Sequence, residues 1–168
     1  MTDRTVYILG RVLGKMVKAL KADAPTVLTN AYHNPMREIT VLHLNHISDM
    51  PEWLGVYIGK MLNQIDGSED VTANIYPQQQ NPLSIGFTVG SVPFKWLNEM
   101  SDRRITQQAL ADKLGVNRVT VARWAESGLP DSRRTDVEWA IYELSGIIGN
   151  GYEYINFDDE TPEKPTEE

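Results

Sequence analysis

At 168 residues, with 41% hydrophobic residues and a formal net charge of −7, the chain has room for one or two small domains with packed cores. It has no cysteine, which excludes a disulfide framework, a thiol nucleophile and a thiolate-bound zinc. Residues 1–100 carry eight basic and nine acidic groups, residues 101–150 seven of each, and residues 151–168 one basic and seven acidic, so most of the acidity sits in a short tail.

In chain order, residues 4–20 read as a helix with Tyr7, Ile8, Val12, Met16 and Leu20 on one face. Arg11, Lys15, Lys18 and Lys21 recur at helical spacing and predict a basic stripe, either a solvated face or a track for a phosphate backbone. The apolar run 6–9 is broken by Gly10 and Arg11, too short a core for a signal peptide. No segment approaches the ~20 apolar residues of a membrane span, so the expectation is a cytoplasmic protein without a membrane partner. Pro25 opens a short helix that stops at the turn of His33, Asn34 and Pro35. Residues 38–47 fit a helix, although alternation over 39–44 also allows a strand. Residues 53–65 read as the next helix, carrying Trp53, Val56, Tyr57, Met61, Leu62 and Ile65. Residues 71–82 read as a polar loop, and 83–89 as an apolar segment whose pattern does not separate helix from strand. Residues 91–93 form the expected domain junction, followed by a helix over 94–100 with Phe94 and Leu97 inward.

The most informative stretch is 107–128, QQALADKLGVNRVTVARWAESG. Leu110, Ala111 and Leu114 share one face of a helix; Gly115 supplies a stop, and Val116 fills the gap before the next helix. Asn117 is a good N-cap for that second helix, whose Val121 and Trp124 turn inward. Arg118, Thr120 and Arg123 are then expected outside, with Gln107, Gln108 and Asn117 at the helix starts. Asn, Gln and Arg read base edges bidentately, and Thr holds phosphate or a thymine methyl. A helix over 135–148 closes the domain with a stripe of Val137, Ala140, Ile141, Leu144 and Ile148, either core cover or a dimer face. Residues 152–157 alternate as an edge strand would, and the acidic, proline-bearing residues 158–168 are expected to be disordered. That tail is either a solubilising end or a DNA mimic.

The order of small, apolar, Gly and apolar residues in 107–128 resembles the phage-repressor (Cro-like) class of helix-turn-helix domains. The resemblance implies a second helix laid in the major groove of duplex DNA. Because residues 101–150 are neutral on average, binding is expected to rest on a local patch of Arg103, Arg104, Lys113, Arg118 and Arg123, doubled by dimerisation. In the first half, residues 7–11 (YILGR), 53–67 (WLGVYIGKMLNQIDG) and 80–87 (QNPLSIGF) resemble, in order and spacing, the C-terminal small-subunit-like region of the large subunit of type I-C CRISPR surveillance complexes. That resemblance implies a helical module that lines a complex and supports the displaced DNA strand. The chain departs from it after Gly86, where the family's basic and aromatic ending is replaced by Phe87, Thr88, Val89 and Gly90.

His43, His46 and Asp49 lie three apart, as helical metal ligands do, but a zinc site needs a fourth ligand or an open water and second-shell support. The reading is no metal and no cofactor. Glu38, Glu52 and Asp66 are scattered singly, and no phosphate loop or nucleophile elbow is present, so no enzyme is expected. The sequence predicts a mainly α protein: an N-terminal helical interaction domain over 1–90, a helix-turn-helix domain over 91–150 and a disordered acidic tail over 151–168. Three functions stay open. These are a transcriptional regulator dimerised or partnered through its first domain, a CRISPR-complex component or anti-CRISPR mimic, and a protein-interaction adaptor.

Overall fold

The computed structural model describes residues 1–92 and 94–145. Among them all regular structure is helical: nine α-helices with two short 3-10 segments. They fall into two compact units, one within Met1–Pro93 and the other starting at Phe94. No described helix is long and apolar enough to cross a membrane. The expected edge strand and tail lie outside the described residues, as do Ile148 and the glycines after it.

The first unit is organised around α1 (Asp3–Leu20), which starts where the Thr2 side chain accepts from the Thr5 N–H. From Thr5 to Val17 every residue of α1 is buried except Lys15, so this is a central helix and not a surface one. Its neighbours are α2 (Ala24–Ala31), α3 (Pro35–Asn45), α4 (Glu52–Leu62) and α5 (Gln80–Ser91), each of which touches it. Side chains start two of them: Asp23 accepts from Thr26 N–H and Asn34 from Arg37 N–H. The central position of α1 corrects the expected basic stripe. Arg11 is buried, and Lys15 is half-buried with its ammonium 5.3 Å from the Tyr57 ring centroid, leaving only Lys18 and Lys21 exposed.

The tightest contact is between α1 and α5. A Cβ on Gly10 would overlap the Leu83 carbonyl oxygen, and one on Gly14 the Phe87 carbonyl oxygen. Reciprocally, a Cβ on Gly86 would strike the Tyr7 carbonyl, and one on Gly90 the Arg11 carbonyl. The contacts advance in the same direction along both helices, so α1 and α5 run parallel with backbone against backbone. Each helix presents glycines four residues apart, the spacing that lets two helices approach closely. This settles 83–89 as helix: its glycines serve a helical face, and Asn81–Phe87 is buried all round.

Parallel neighbours need a long return, which α2, α3, α4 and the segment after them supply. The expected polar loop over 71–82 is partly helical, with a 3-10 turn at Pro77–Gln79 leading straight into α5. This turn and the segment before it are pinned to the start of α1 and to the start of α3. Glu69 accepts from Thr5 Oγ1 at 2.6 Å and from the Thr2 N–H at 2.7 Å. Gln79 Nε2 donates to the Met1 carbonyl at 2.9 Å, and Asn34 Nδ2 to the Thr72 carbonyl at 2.7 Å.

The second unit comprises α6 (Trp96–Asp102), α7 (Gln107–Leu114), α8 (Arg118–Ser127) and α9 (Asp131–Ser145). Its core joins Trp96, Met100, Leu110, Ala111, Val121, Trp124, Val137, Ala140 and Ile141. The first helix differs from expectation. It starts two residues later than read, so Trp96 and Met100 turn inward while Leu97 is exposed and Phe94 is half-buried, its ring tilted against Tyr142. Helix α9 starts earlier than expected, at Asp131. Val137, Ala140 and Ile141 lie inside this unit's own core, which removes them as a dimer face, and Leu144 is partly exposed.

Gly14→Ala should lose at least the ~1–3 kcal/mol typical of an overpacked core, read by urea unfolding. Gly55→Ala on α4, whose added Cβ meets nothing, should instead stabilise by about 0.5–1 kcal/mol.

Candidate nucleic-acid interface

Helices α7 and α8 and the turn between them follow from local chemistry. Thr106 caps α7 by accepting from the Ala109 N–H at 3.0 Å. At the far end Gly115 takes a left-handed conformation, φ 73°, and Val116 N–H closes on the Ala111 carbonyl at 3.0 Å. A Cβ at Gly115 has open space around it, so the conformation and not crowding calls for glycine. Val116 then turns in against the core, and α8 begins after Asn117. Asn117 holds the extended backbone of an N-cap, but its side chain makes no capping hydrogen bond and stays exposed at the helix start.

Burial along α8 defines its two sides. Val121 and Trp124 are in the core, and Thr120 is half-buried beside them. The opposite side exposes Arg118, Val119, Arg123 and Glu126. The expectation for Thr120 is therefore corrected: it lies next to Val121 and one turn before Trp124, so it belongs to the flank and not the centre of the outer face. Val119 takes that central place, 58% exposed, and the sequence reading passed over it. The signal was present, since 119, 122, 123 and 126 repeat at helical spacing directly opposite 121 and 124.

The remaining site residues divide. Gln107 is half-buried at the start of α7, and Gln108 is exposed with its amide donating to Asp112 at 2.8 Å. Of the expected five-residue basic patch, two members are engaged within the unit. Arg103 pairs with Glu99 at 3.0 Å and stacks 4.7 Å from the Tyr142 ring centroid, and Lys113 pairs with Glu143 at 3.5 Å. Among the described residues Arg104, Arg118 and Arg123 are exposed and have no ion-pair partner. The patch therefore contracts from five cations to three, two of them on α8. Beneath it, Arg133 lies 5.8 Å from the Trp124 ring centroid and covers the rim of the core.

The histidines do not form a comparable site. His46 Nδ1 faces Asp49 Oδ2 at 3.4 Å while His43 is exposed, and no group of three metal-ligating side chains occurs among the described residues. The first unit does hold an open polar cleft of about 510 Å³, lined by Asn30, His33, Asn34, Arg37, Glu38, Val41 and Asn74. Glu38 is only 7% exposed there. Burial raises its pKa, opposed by a hydrogen bond from Asn30 and by the nearby Arg37 charge.

The chain matches no protein-family model, no curated protein and no solved structure.

Two outcomes follow. Gly115→Ala should destabilise the second unit by about 1–2 kcal/mol through its positive φ, with Gly115→Asn milder, measured by thermal unfolding. For Glu38 the folded pKa lies above the unfolded one, so its contribution to stability falls as pH rises from the ordinary carboxylate range through the raised value. Glu38→Gln should therefore be more stable relative to wild type at pH 7 than at pH 4, measured by paired denaturation curves.

Proposed function

We propose that this chain is a non-enzymatic DNA-binding protein, a regulator that reads duplex DNA through α8 (Arg118–Ser127). One observation carries the reading: the outer side of α8 presents two ion-pair-free arginines around an exposed valine, on a helix fixed to the core by Val121 and Trp124. Arg118 and Arg123 have the fork geometry for guanine edges or phosphates. Val119 suits the C5-methyl of thymine, and Asn117 and Gln107 lie at helix starts where they reach the backbone or a base edge. Thr120 and Gln108 take supporting places on the flanks.

The electrostatics limit what one copy does alone. Sequence-independent affinity grows with the number of phosphates neutralised, and three free arginines neutralise few. The reading therefore assigns the first unit to a protein partner, either a second copy or a larger assembly.

A second reading is a component or mimic of a type I-C CRISPR surveillance complex, with the second unit as an autoregulatory DNA-binding domain. Its support is that two of the three resembling segments meet: Gly10 of 7–11 and Gly86 of 80–87 both lie in the α1–α5 contact. Co-elution of the purified chain with such a complex tests it, and separate elution at micromolar concentration removes it.

For the main reading, fluorescence anisotropy on duplexes selected from random sequence is the test. Arg118→Ala and Arg123→Ala should each weaken binding by about 1–3 kcal/mol, roughly ten- to a hundred-fold. Replacing a thymine in the selected site by uracil should weaken wild type several-fold and leave Val119→Ala indifferent. Unchanged binding in both arginine variants would sink the assignment of α8 as the reading helix.

A further inference from the structure

Helix α4 (Glu52–Leu62) has one side on the first unit and, among that unit's described residues, one side left exposed. Leu54 and Met61 are buried, and Tyr57 and Ile58 are half-buried beside them. The other side carries Glu52, Trp53, Val56, Gly59 and Lys60, all exposed. Trp53 is 54% exposed and Val56 53%. A tryptophan and a valine left half in water on adjacent turns form the kind of apolar surface that marks an interaction site.

Gly59 adds a second, independent feature. Glycine inside a helix costs about 0.5–1 kcal/mol relative to alanine. In α1 and α5 that cost has a visible reason, because the neighbouring backbone occupies the Cβ position. At Gly59 no atom lies within 4 Å of an added Cβ. Among the described residues nothing requires either Gly55 or Gly59, but only Gly59 lies on the same exposed side as Val56, where a partner helix would approach.

The charges say which partner. Glu52 stands four residues before Val56 and Lys60 four residues after it, on the same exposed side. We propose that α4 docks against the α4 of a second copy of this chain, antiparallel, about a two-fold axis at Val56. In that arrangement a residue at one distance before Val56 meets the residue at the same distance after it. Glu52 and Trp53 of one copy lie beside the partner's Gly59 and the partner's Lys60, and the relation repeats in reverse. The acid finds the base twice, the indole covers the bare backbone and the lysine stem, and Val56 meets the partner's Val56 on the axis. Such a self-complementary surface is what a two-fold interface demands. A parallel pairing sets Glu52 against the partner's Glu52 and Lys60 against the partner's Lys60, so like charges oppose it. Exposed ion pairs contribute little energy, so their role is to fix direction while Trp53 and Val56 supply the buried area. The proposal stands independently of what α8 binds.

Sedimentation velocity of the full-length chain over a range of micromolar concentrations tests it. Wild type should show a reversible monomer–dimer equilibrium. Val56→Arg and Gly59→Leu should shift it to monomer, with helical content unchanged because both positions are exposed. Gly59→Ala should raise the unfolding temperature of the dilute monomer while weakening the dimer, opposite signs from one methyl group. Glu52→Lys and Lys60→Glu should each weaken the dimer several-fold, and the double reversal should restore it. A chain that stays monomeric throughout overturns the proposal. So does a dimer indifferent to Val56→Arg and Gly59→Leu, or one that the double charge reversal fails to rescue.

Discussion

The first unit depends on one contact, the parallel approach of α1 and α5 with glycines on both sides. Four positions, Gly10, Gly14, Gly86 and Gly90, put carbonyl oxygens of one helix where side chains of the other would stand. Close approach increases the number of atoms in van der Waals contact, each weak and all together large. It also removes freedom. With α5 fixed along α1, the remaining helices α2, α3 and α4 have only the other sides of α1 to cover. That explains why α1 is buried along nearly its whole length.

The two units solve different problems. The first spends its apolar residues on a central helix and then exposes Trp53 and Val56 on α4. The second is a small core that holds α8 with a charged outer side. In the proposed account the first unit brings copies together and the second presents arginines. Neither is sufficient alone, because the second unit has few free cations and its best apolar stripe, on α9, is already used inside its own core.

What was legible in the sequence follows the range of the interactions involved. The helix-turn-helix segment was readable almost residue by residue, because its determinants are local: Leu110, Ala111, Gly115, Val121 and Trp124 act within one turn of chain. Helix α1 and the helix opened by Pro25 were legible for the same reason, whereas α3 starts at Pro35, a residue that reads as part of the turn before it. Residues 83–89 were not, because the meaning of Gly86 and Gly90 lies on α1, more than seventy positions away. Arg11 and Lys15 misled for the complementary reason. Their spacing fits a solvated stripe, yet α5 and α4 cover that side of α1. Within the site, Thr120 falls on the flank and Val119 at the centre of the outer side, a placement that the inward positions of Val121 and Trp124 fix whatever the residue types. The basic patch shrank because Glu99, one turn before Arg103, and Glu143, thirty positions beyond Lys113, engage them; only the second pairing is out of reach of local reading.

The central claim is that duplex binding comes from a few free arginines on α8 and not from a broad basic surface. The salt dependence of duplex affinity tests this most directly, since log K falls with log salt by about 0.9 for each phosphate neutralised. With Arg104, Arg118 and Arg123 as the free cations of the patch and Arg133 held over Trp124, the full-length chain should give a shallow slope, roughly −2 to −3 per copy bound, flattening when Arg118 and Arg123 are both replaced by alanine. Absence of duplex binding at low salt, or a steep slope that survives loss of both arginines, would contradict the account.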